Sequence, residues 1–262
     1  MQQKSPESMK NSKPLLSHIP NLITSMHLLM GCLSIVLAFQ GQLITASVCI
    51  FIAGILDFAD GLAARLLKAG SEFGKLMDSL GDVVSFGVAP SVIMFQLLNQ
   101  AILRGYTDVG VESTGLINFN TASLLEQVLT FSAFIIAVFS ALRLAKFHLD
   151  TRQTTYFVGI PTPANAFLIA SIPFVLRDYE MIGTILLKIY VLIPLVFILS
   201  FLLVSEIPMI SLKFKNLTFR DNKSRYILLI IALILLAIFR ISAYPIIFAL
   251  YMIISLIDSP QK

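Results

Sequence analysis

The chain has 262 residues, of which 57% are hydrophobic and 13% are charged, and its formal net charge is +4. A mean hydropathy of +0.87 is far above that of a soluble domain, which excludes an ordinary soluble enzyme. The basic residues are dispersed between apolar runs and form no continuous stripe, so nucleic acid is not expected as a partner. We predict an all-α, polytopic integral membrane helix bundle in contact with membrane lipids.

Eight apolar runs approach the length of about 20 helical residues that is needed to cross a bilayer. They cover residues 21–39, 43–64, 83–99, 124–142, 164–176, 182–204, 226–240 and 242–257. Pro173 interrupts the fifth run, and Arg240 and Pro245 divide the last apolar stretch into two short halves. We therefore predict about eight transmembrane helices. Residues 1–14 are expected to be a disordered cytoplasmic leader, residues 15–204 a core of about six helices, and residues 205–262 a basic cytoplasmic loop with a C-terminal helical pair.

The basic residues also predict an orientation, because Lys and Arg collect in cytoplasmic loops. With the N-terminus inside, eight crossings place all of the 19 Lys and Arg residues on the cytoplasmic side except Arg104, Arg177, Lys188 and Arg240. The predicted topology is N-in and C-in.

The most unusual segment is residues 57–82, DFADGLAARLLKAGSEFGKLMDSLGD. Asp57 and Asp60 are three residues apart and Asp78 and Asp82 are four apart, so each pair lies on one face of a helix. Charges near lipid are costly and usually mark a functional site. A set of oxygen ligands without His or Cys points to a hard divalent cation, namely Mg²⁺, Mn²⁺ or Ca²⁺, rather than to zinc.

Glycines and one arginine accompany the carboxylates. Gly61 and Gly74 permit close approach of helix backbones, and Arg65 lies about two turns beyond Asp57. A guanidinium beside metal-binding carboxylates suits a phosphate ligand, which favours a phosphoanhydride substrate. Structural alternatives are that Asp57 and Asp60 form a solvated helix end and that Asp78 pairs with Lys75.

The segment reads D-x-x-D-G-x-x-A-R-x8-G-x3-D-x3-D and resembles the complete signature of the CDP-alcohol phosphatidyltransferases, integral membrane enzymes that use a divalent metal to displace CMP from a CDP-linked donor with an alcohol. The resemblance implies that Asp57, Asp60 and Asp78 bind Mg²⁺ or Mn²⁺. It implies that Asp82 is the general base and lies close to the metal. A further set of residues is implied to contact the CDP moiety: Asn21, Thr24, Gly61, Arg65 and Gly74. For Asn21 and Thr24 a polar cap at the membrane interface remains open as an alternative.

Four strings extend the resemblance to the bacterial, membrane-embedded phosphatidylserine synthases within this family. They are IPNLITSMHLLMG at 19–31, DSLGDVVSFGVAPS at 78–91, ALRLAKFHLDTRQT at 141–154 and GIPTPANA at 159–166. The match covers about residues 15–170. It implies CDP-diacylglycerol and L-serine as substrates, a homodimer, and a bacterial inner membrane location with the active site facing the cytoplasm. Two positions depart from the pattern, because alanine is more common at Gly81 and asparagine at His27.

The acceptor site is less specific. Arg143 and Lys146 are candidates for the serine carboxylate or a lipid phosphate, and Ser85 and Asn165 are candidates for hydrogen bonds to substrate. The alternatives are positive-inside anchoring for the two basic residues and helix–helix hydrogen bonds for the two polar ones. Two other functions stay open, namely the same chemistry with glycerol 3-phosphate or inositol phosphate, and a divalent-cation transporter. Arg65 disfavours the transporter because it would repel a travelling cation.

Overall fold

The computed structural model describes residues 18–107, 122–149, 157–210, Thr218 and 222–257. Within these residues the chain is almost entirely helical. The helices are α1 Ile19–Phe39, α2 Leu43–Leu66, α3 Glu72–Asp82, α4 Ala89–Thr107, α5 Leu124–Phe131, α6 Ile135–Leu149, α7 Thr162–Asp178, α8 Glu180–Leu186, α9 Ile189–Val204, α10 Lys223–Phe239 and α11 Tyr244–Ile257. Two short antiparallel strands, β1 Phe157–Val158 and β2 Pro208–Met209, pair Phe157 with Met209. The predicted leader at 1–14 lies outside the described residues.

Among the residues that the structure describes, five helical stretches are long and apolar enough to span a membrane, or six when the bent pair of α8 and α9 is taken as one span. The five are Ile19–Phe39, Leu43–Leu66, Glu72–Gly105, Leu124–Phe147 and Lys223–Ile257. The all-α membrane bundle is therefore confirmed, whereas the count of eight crossings stays a prediction. Part of the difference lies in α7, which has 17 residues and is thus shorter than a typical span.

The third span begins earlier than its apolar run predicts. Because α3 continues through a π-helical segment, Val83–Val88, into α4, one helical stretch runs from Glu72 to Gly105. The Ser71 side chain starts it by accepting a hydrogen bond from the Gly74 amide at 3.0 Å, which is an N-cap. Short π-helical turns are rare and frequently lie at functional sites. This one immediately follows Asp82.

The core is formed by α4 and α7, whose apolar side chains are mostly buried. Helix α1 packs along α2, and the buried Ser34 hydroxyl donates to the Ala46 carbonyl on α2 at 2.8 Å. Gly31 allows α1 to approach the π-helical segment, since a Cβ at this position would lie 2.8 Å from the Cα of Ser85. Close packing thus fixes α1 against both acidic helices.

The C-terminal helices pack back onto the core. Helix α11 contacts α7, and the Ser242 hydroxyl just before α11 donates to Asp178 Oδ2 at the end of α7, at 2.6 Å. Further along α11, the Tyr251 hydroxyl donates to the Ile210 carbonyl at 3.1 Å and Ser255 Oγ accepts from the Ile210 amide at 3.2 Å. These contacts tie both ends of α11 to the bundle.

Candidate functional site: a carboxylate cluster between two cavities

Three of the four signature aspartates converge. Asp57 on α2 and Asp78 and Asp82 on α3 meet His27 of α1, and one potential ligand atom from each of the four lies within 4.8 Å of the others. We call these four residues the carboxylate–histidine cluster. The helical spacing explains why Asp78 and Asp82 share a face, one turn apart. The cluster joins three helices at a single point.

Asp60 takes a different position from the other three aspartates. Its side chain is buried, and its Oδ2 accepts a hydrogen bond from the Thr24 hydroxyl of α1 at 2.7 Å. It lies outside the carboxylate–histidine cluster and lines a neighbouring cavity that Asp78 also lines. Thr24, a predicted contact of the CDP moiety, therefore holds the Asp60 carboxyl group toward that cavity.

This first cavity has a volume of about 150 Å³ and is walled by α1, α2, α3 and the α2–α3 loop. Its lining comprises Pro20, Asn21, Thr24, Asp60, Gly61, Ala64, Ala69, Gly70, Ser71, Gly74, Lys75 and Asp78. Four of the five residues predicted to contact CDP are therefore brought together here. A Cβ at Gly61 would meet nothing within 4 Å, so the missing side chain leaves the cavity open. A Cβ at Gly74 would lie 3.0 Å from Asn21 Oδ1, so glycine permits that contact.

Arg65 is the fifth predicted CDP residue, and it does not line this cavity. Its side chain is exposed and its Nε donates to the Gly61 carbonyl one turn earlier, at 3.0 Å. Lys75, which had been considered as a partner of Asp78, pairs with Glu72 at 3.0 Å instead. Both basic side chains lie at the end of the bundle where α2 ends and α3 begins.

A second cavity of about 510 Å³ lies on the other side of α3. Its lining comprises Lys75, Asp78, Ser79, Asp82, Arg143, Leu144, Phe147, Pro161, Thr162 and Pro163. Arg143 of α6 is buried, and its Nη1 donates to the Thr162 hydroxyl at 3.0 Å. Asp78 and Lys75 line both cavities, so these two residues lie where the cavities adjoin.

The other predicted acceptor residues do not line the second cavity. Lys146 is exposed and pairs with Glu206 at 3.5 Å. Ser85 is buried and donates to the His27 carbonyl at 3.2 Å, which joins the π-helical segment to α1. Asn165 is fully buried one turn beyond Thr162, and neither of its side-chain polar atoms has a hydrogen-bond partner among the described residues. Of these two basic candidates, only Arg143 thus lines the second cavity.

His27 is the cluster member whose role sequence reasoning left open. A single histidine inside an apolar helix is more often a packing residue, and nothing in its spacing from the aspartates along the chain points to them. It is fully buried, and its ring lies 5.1 Å from that of Phe86, centroid to centroid. The only sequence feature that singles out His27 is that asparagine is more common at this position in the family pattern.

The donor set fits a divalent metal ion. Two ligands of one ion, each at about 2.1 Å, lie at most about 4.2 Å apart, so a separation of 4.8 Å needs only a small contraction. Buried carboxylates that close repel one another unless a cation compensates them. Asp82 Oδ1 is also buried without a hydrogen-bond partner among the described residues. Asp57, Asp78, Asp82 and the His27 ring can therefore hold such an ion.

Comparisons with known proteins identify the family of the chain. The family model described as CDP-alcohol phosphatidyltransferase matches residues 17–258. The chain is 30% identical over 242 residues to a CDP-diacylglycerol--serine O-phosphatidyltransferase of Helicobacter pylori, covering 91% of this chain and 89% of that protein. It is 31% identical over 148 residues to a protein of the same name from Bacillus subtilis, covering 56% and 71%. An archaetidylserine synthase of Methanothermobacter thermautotrophicus is 32% identical over 169 residues, covering 62% and 61%.

Proposed function

Because the chain belongs to the CDP-alcohol phosphatidyltransferase family, we propose that it transfers the phosphatidyl group of CDP-diacylglycerol to the hydroxyl of L-serine, giving phosphatidylserine and CMP. The names of its relatives from Helicobacter pylori and Bacillus subtilis support serine as the acceptor. The observation that carries the proposal is that Asp78 lies where the two cavities adjoin. A donor in one cavity and an acceptor in the other would meet at the carboxylates.

The first cavity is proposed to bind the CDP end of the donor. Asn21 and Thr24 supply polar groups, while Gly61 and Gly74 leave room beside the carboxylates. Arg65 lies one turn after Gly61, which lines this cavity. Its guanidinium can reach a phosphate bound there once its hydrogen bond to the Gly61 carbonyl breaks. Because α1 and α2 expose apolar residues such as Leu22 and Leu62, the acyl chains can stay in the bilayer while the nucleotide occupies the cavity.

The second cavity is proposed to bind serine. Arg143 can pair with the serine carboxylate through its guanidinium, and the Thr162 hydroxyl holds that guanidinium in place. Asp82 lines the same cavity and is proposed as the general base that accepts the serine hydroxyl proton. The serine oxygen then forms a bond to the lipid-linked phosphorus, and the bond from that phosphorus to the CMP oxygen breaks. Ser85, Lys146 and Asn165 remain weaker candidates because none lines this cavity.

A bound divalent cation, Mg²⁺ or Mn²⁺ with Ca²⁺ as a possible substitute in vitro, would neutralise the charge that develops on the phosphoryl oxygens. The carboxylate–histidine cluster supports this proposal because it supplies four donor atoms within 4.8 Å. Asp60 is proposed as an additional ligand from the side of the first cavity, through the carboxylate oxygen that Thr24 does not hold.

We further propose eight membrane crossings with both termini inside, in a bacterial inner membrane. The site lies at the end where α1 begins, α2 ends and α7 begins, and this end also carries Arg65, Lys75 and Lys146. The positive-inside rule assigns such an end to the cytoplasm. Contacts of α11 with Asp178 at one end and Ile210 at the other support α10 and α11 as two separate crossings. A homodimer is proposed on the family resemblance and on no other observation.

The test is product identification. Purified protein is incubated with CDP-diacylglycerol, Mn²⁺ or Mg²⁺ and one labelled alcohol at a time, namely L-serine, glycerol 3-phosphate or inositol phosphate. We expect labelled lipid only with serine, together with an equal amount of CMP. Lipid formed from glycerol 3-phosphate and not from serine would overturn the acceptor assignment. Metal flux into proteoliposomes without CMP release would support a transporter instead.

A further inference from the structure

His27 is a buried polar residue whose hydrogen-bonding capacity is unused. Its side chain is fully buried in the bundle, and neither ring nitrogen has a hydrogen-bond partner among the described residues. A buried imidazole without partners costs free energy, because it gave up hydrogen bonds to water and received none in return. Such a residue is retained when something at its site uses a nitrogen lone pair.

The ring is directed into the carboxylates. One of its nitrogens lies within 4.8 Å of a carboxylate oxygen of Asp57, Asp78 and Asp82. Stacking against Phe86, with centroids 5.1 Å apart and ring planes 31° apart, fixes the orientation of the imidazole. The Ser85 hydroxyl holds the His27 carbonyl at 3.2 Å, which anchors the backbone at the same point.

Gly81 makes room for this ring. A Cβ at Gly81 would lie 3.1 Å from His27 Nδ1 and 3.3 Å from Cε1, closer than ordinary van der Waals contact. Gly81 is itself buried on α3, between Asp78 and Asp82. His27 and Gly81, the two positions that depart from the family pattern, therefore lie against each other. An alanine at 81 would push the imidazole away from α3.

We propose that His27 is a nitrogen ligand of the divalent cation held by the Asp57, Asp78 and Asp82 carboxylates. The inference rests on the proposed function for the presence of that cation. Replacing one oxygen donor by an imidazole shifts preference from Mg²⁺, which favours oxygen ligands, toward Mn²⁺ and later transition metals. The ratio of Mn²⁺ affinity to Mg²⁺ affinity would therefore be higher than at a site built from carboxylates alone.

The direct test is pulsed electron paramagnetic resonance of Mn²⁺ bound to the full-length protein in detergent. We expect ¹⁴N modulation from a coordinated imidazole, and we expect it to change when the protein contains ¹⁵N-histidine. In His27→Gln the modulation should disappear, and the dissociation constant for Mn²⁺ should rise about tenfold while that for Mg²⁺ changes less. His18→Gln is the matched control, because His18 is exposed at the start of the same helix.

A second variant keeps the histidine and tests its position. Gly81→Ala should weaken the ¹⁴N modulation, because the added methyl group displaces the ring, so the prediction does not depend on whether His27→Gln folds. Absence of nitrogen modulation in the unmodified protein, or its persistence in His27→Gln, would overturn the inference. Nitrogen modulation in a protein that makes no phosphatidylserine would refute the proposed function and leave the ligand assignment standing. Phosphatidylserine synthesis by a protein that shows no nitrogen modulation would refute the ligand assignment and leave the proposed function standing.

Discussion

The Thr24 hydroxyl on α1 donates a hydrogen bond of 2.7 Å to the Asp60 carboxyl on α2, and both groups are buried in the wall of the first cavity. The bond is a further link between two helices that already pack along each other, in addition to the hydrogen bond from Ser34 to the Ala46 carbonyl. It also holds one signature aspartate away from the carboxylate–histidine cluster.

Thr24→Val removes this bond and leaves the Asp60 oxygen with one partner fewer. A lost hydrogen bond to a buried acceptor costs about 1–3 kcal/mol, so the midpoint of thermal unfolding in detergent should fall. The KM for CDP-diacylglycerol should rise more than that for serine, because Asp60 lines only the first of the two cavities. Thr24→Ser keeps the hydroxyl and serves as the control. Equal increases in both KM values would argue against an assignment of Thr24 to the donor.

Gly61→Leu fills open space in the first cavity, because a Cβ at this position meets no atom within 4 Å. We expect donor binding to weaken at least tenfold with the unfolding temperature nearly unchanged, as measured by binding of a CDP-diacylglycerol analogue and by thermal unfolding. Gly105→Leu is the matched control, since a Cβ there also meets no atom within 4 Å and it lies on α4, away from the site. Unimpaired donor binding in Gly61→Leu would place the nucleotide elsewhere.

Arg143 and Lys146 are suited to a paired test of the acceptor site. Both are candidates from the sequence, but of the two only Arg143 lines the second cavity. Arg143→Gln should raise the KM for serine by about tenfold or more, because it removes a charged partner of the carboxylate. Lys146→Gln should change it less than twofold, since the Lys146–Glu206 pair is exposed and contributes little. Steady-state kinetics with serine as the varied substrate distinguish the two variants. A larger effect at Lys146 would indicate a different acceptor site.

Asp57→Asn removes a charged ligand from the carboxylate–histidine cluster. We expect the dissociation constant for Mn²⁺ to rise about tenfold or more, and donor binding to weaken with it because a cation held there would also bind the diphosphate. Calorimetric titration of Mn²⁺, with and without a CDP-diacylglycerol analogue, measures both effects. Asp178→Asn is the control, as Asp178 lies at the far end of α7 and bonds to Ser242 and Arg177. Unchanged metal binding in Asp57→Asn would remove this residue from the ligand set.

Much of the site follows from the sequence because helical spacing carries it. The three- and four-residue separations place Asp57, Asp78 and Asp82 on helix faces, and the glycine positions indicate where backbone or ligand comes close. The structure brings Asp57, Asp78 and Asp82 together, whereas Asp60, the other predicted ligand, lies outside the carboxylate–histidine cluster. The same reasoning also gave an all-α membrane bundle, because long apolar runs leave few other ways to satisfy backbone hydrogen bonds in lipid.

The positions that the sequence did not determine depend on how helices rotate and pack. The roles of His27 and Thr24 depend on which face α1 turns toward α2 and α3, and apolar periodicity is weak in a helix that is hydrophobic all round. The Arg65 side chain lies against a carbonyl of its own helix, a rotamer choice without a sequence signal. The extension of the third span back to Glu72 was missed because α3 is amphipathic and falls below the hydropathy of a membrane run.

The proposed reaction depends on a proton transfer from the serine hydroxyl to Asp82 in the second cavity. It is tested most directly by single-turnover CMP release from Asp82→Asn, saturated with CDP-diacylglycerol and Mn²⁺ and then mixed with serine. At full donor occupancy we expect a rate of CMP release that is lower by about 10²–10⁴-fold, the usual contribution of a general base. CMP release at the unmodified rate, with donor occupancy confirmed in the same sample, would contradict it.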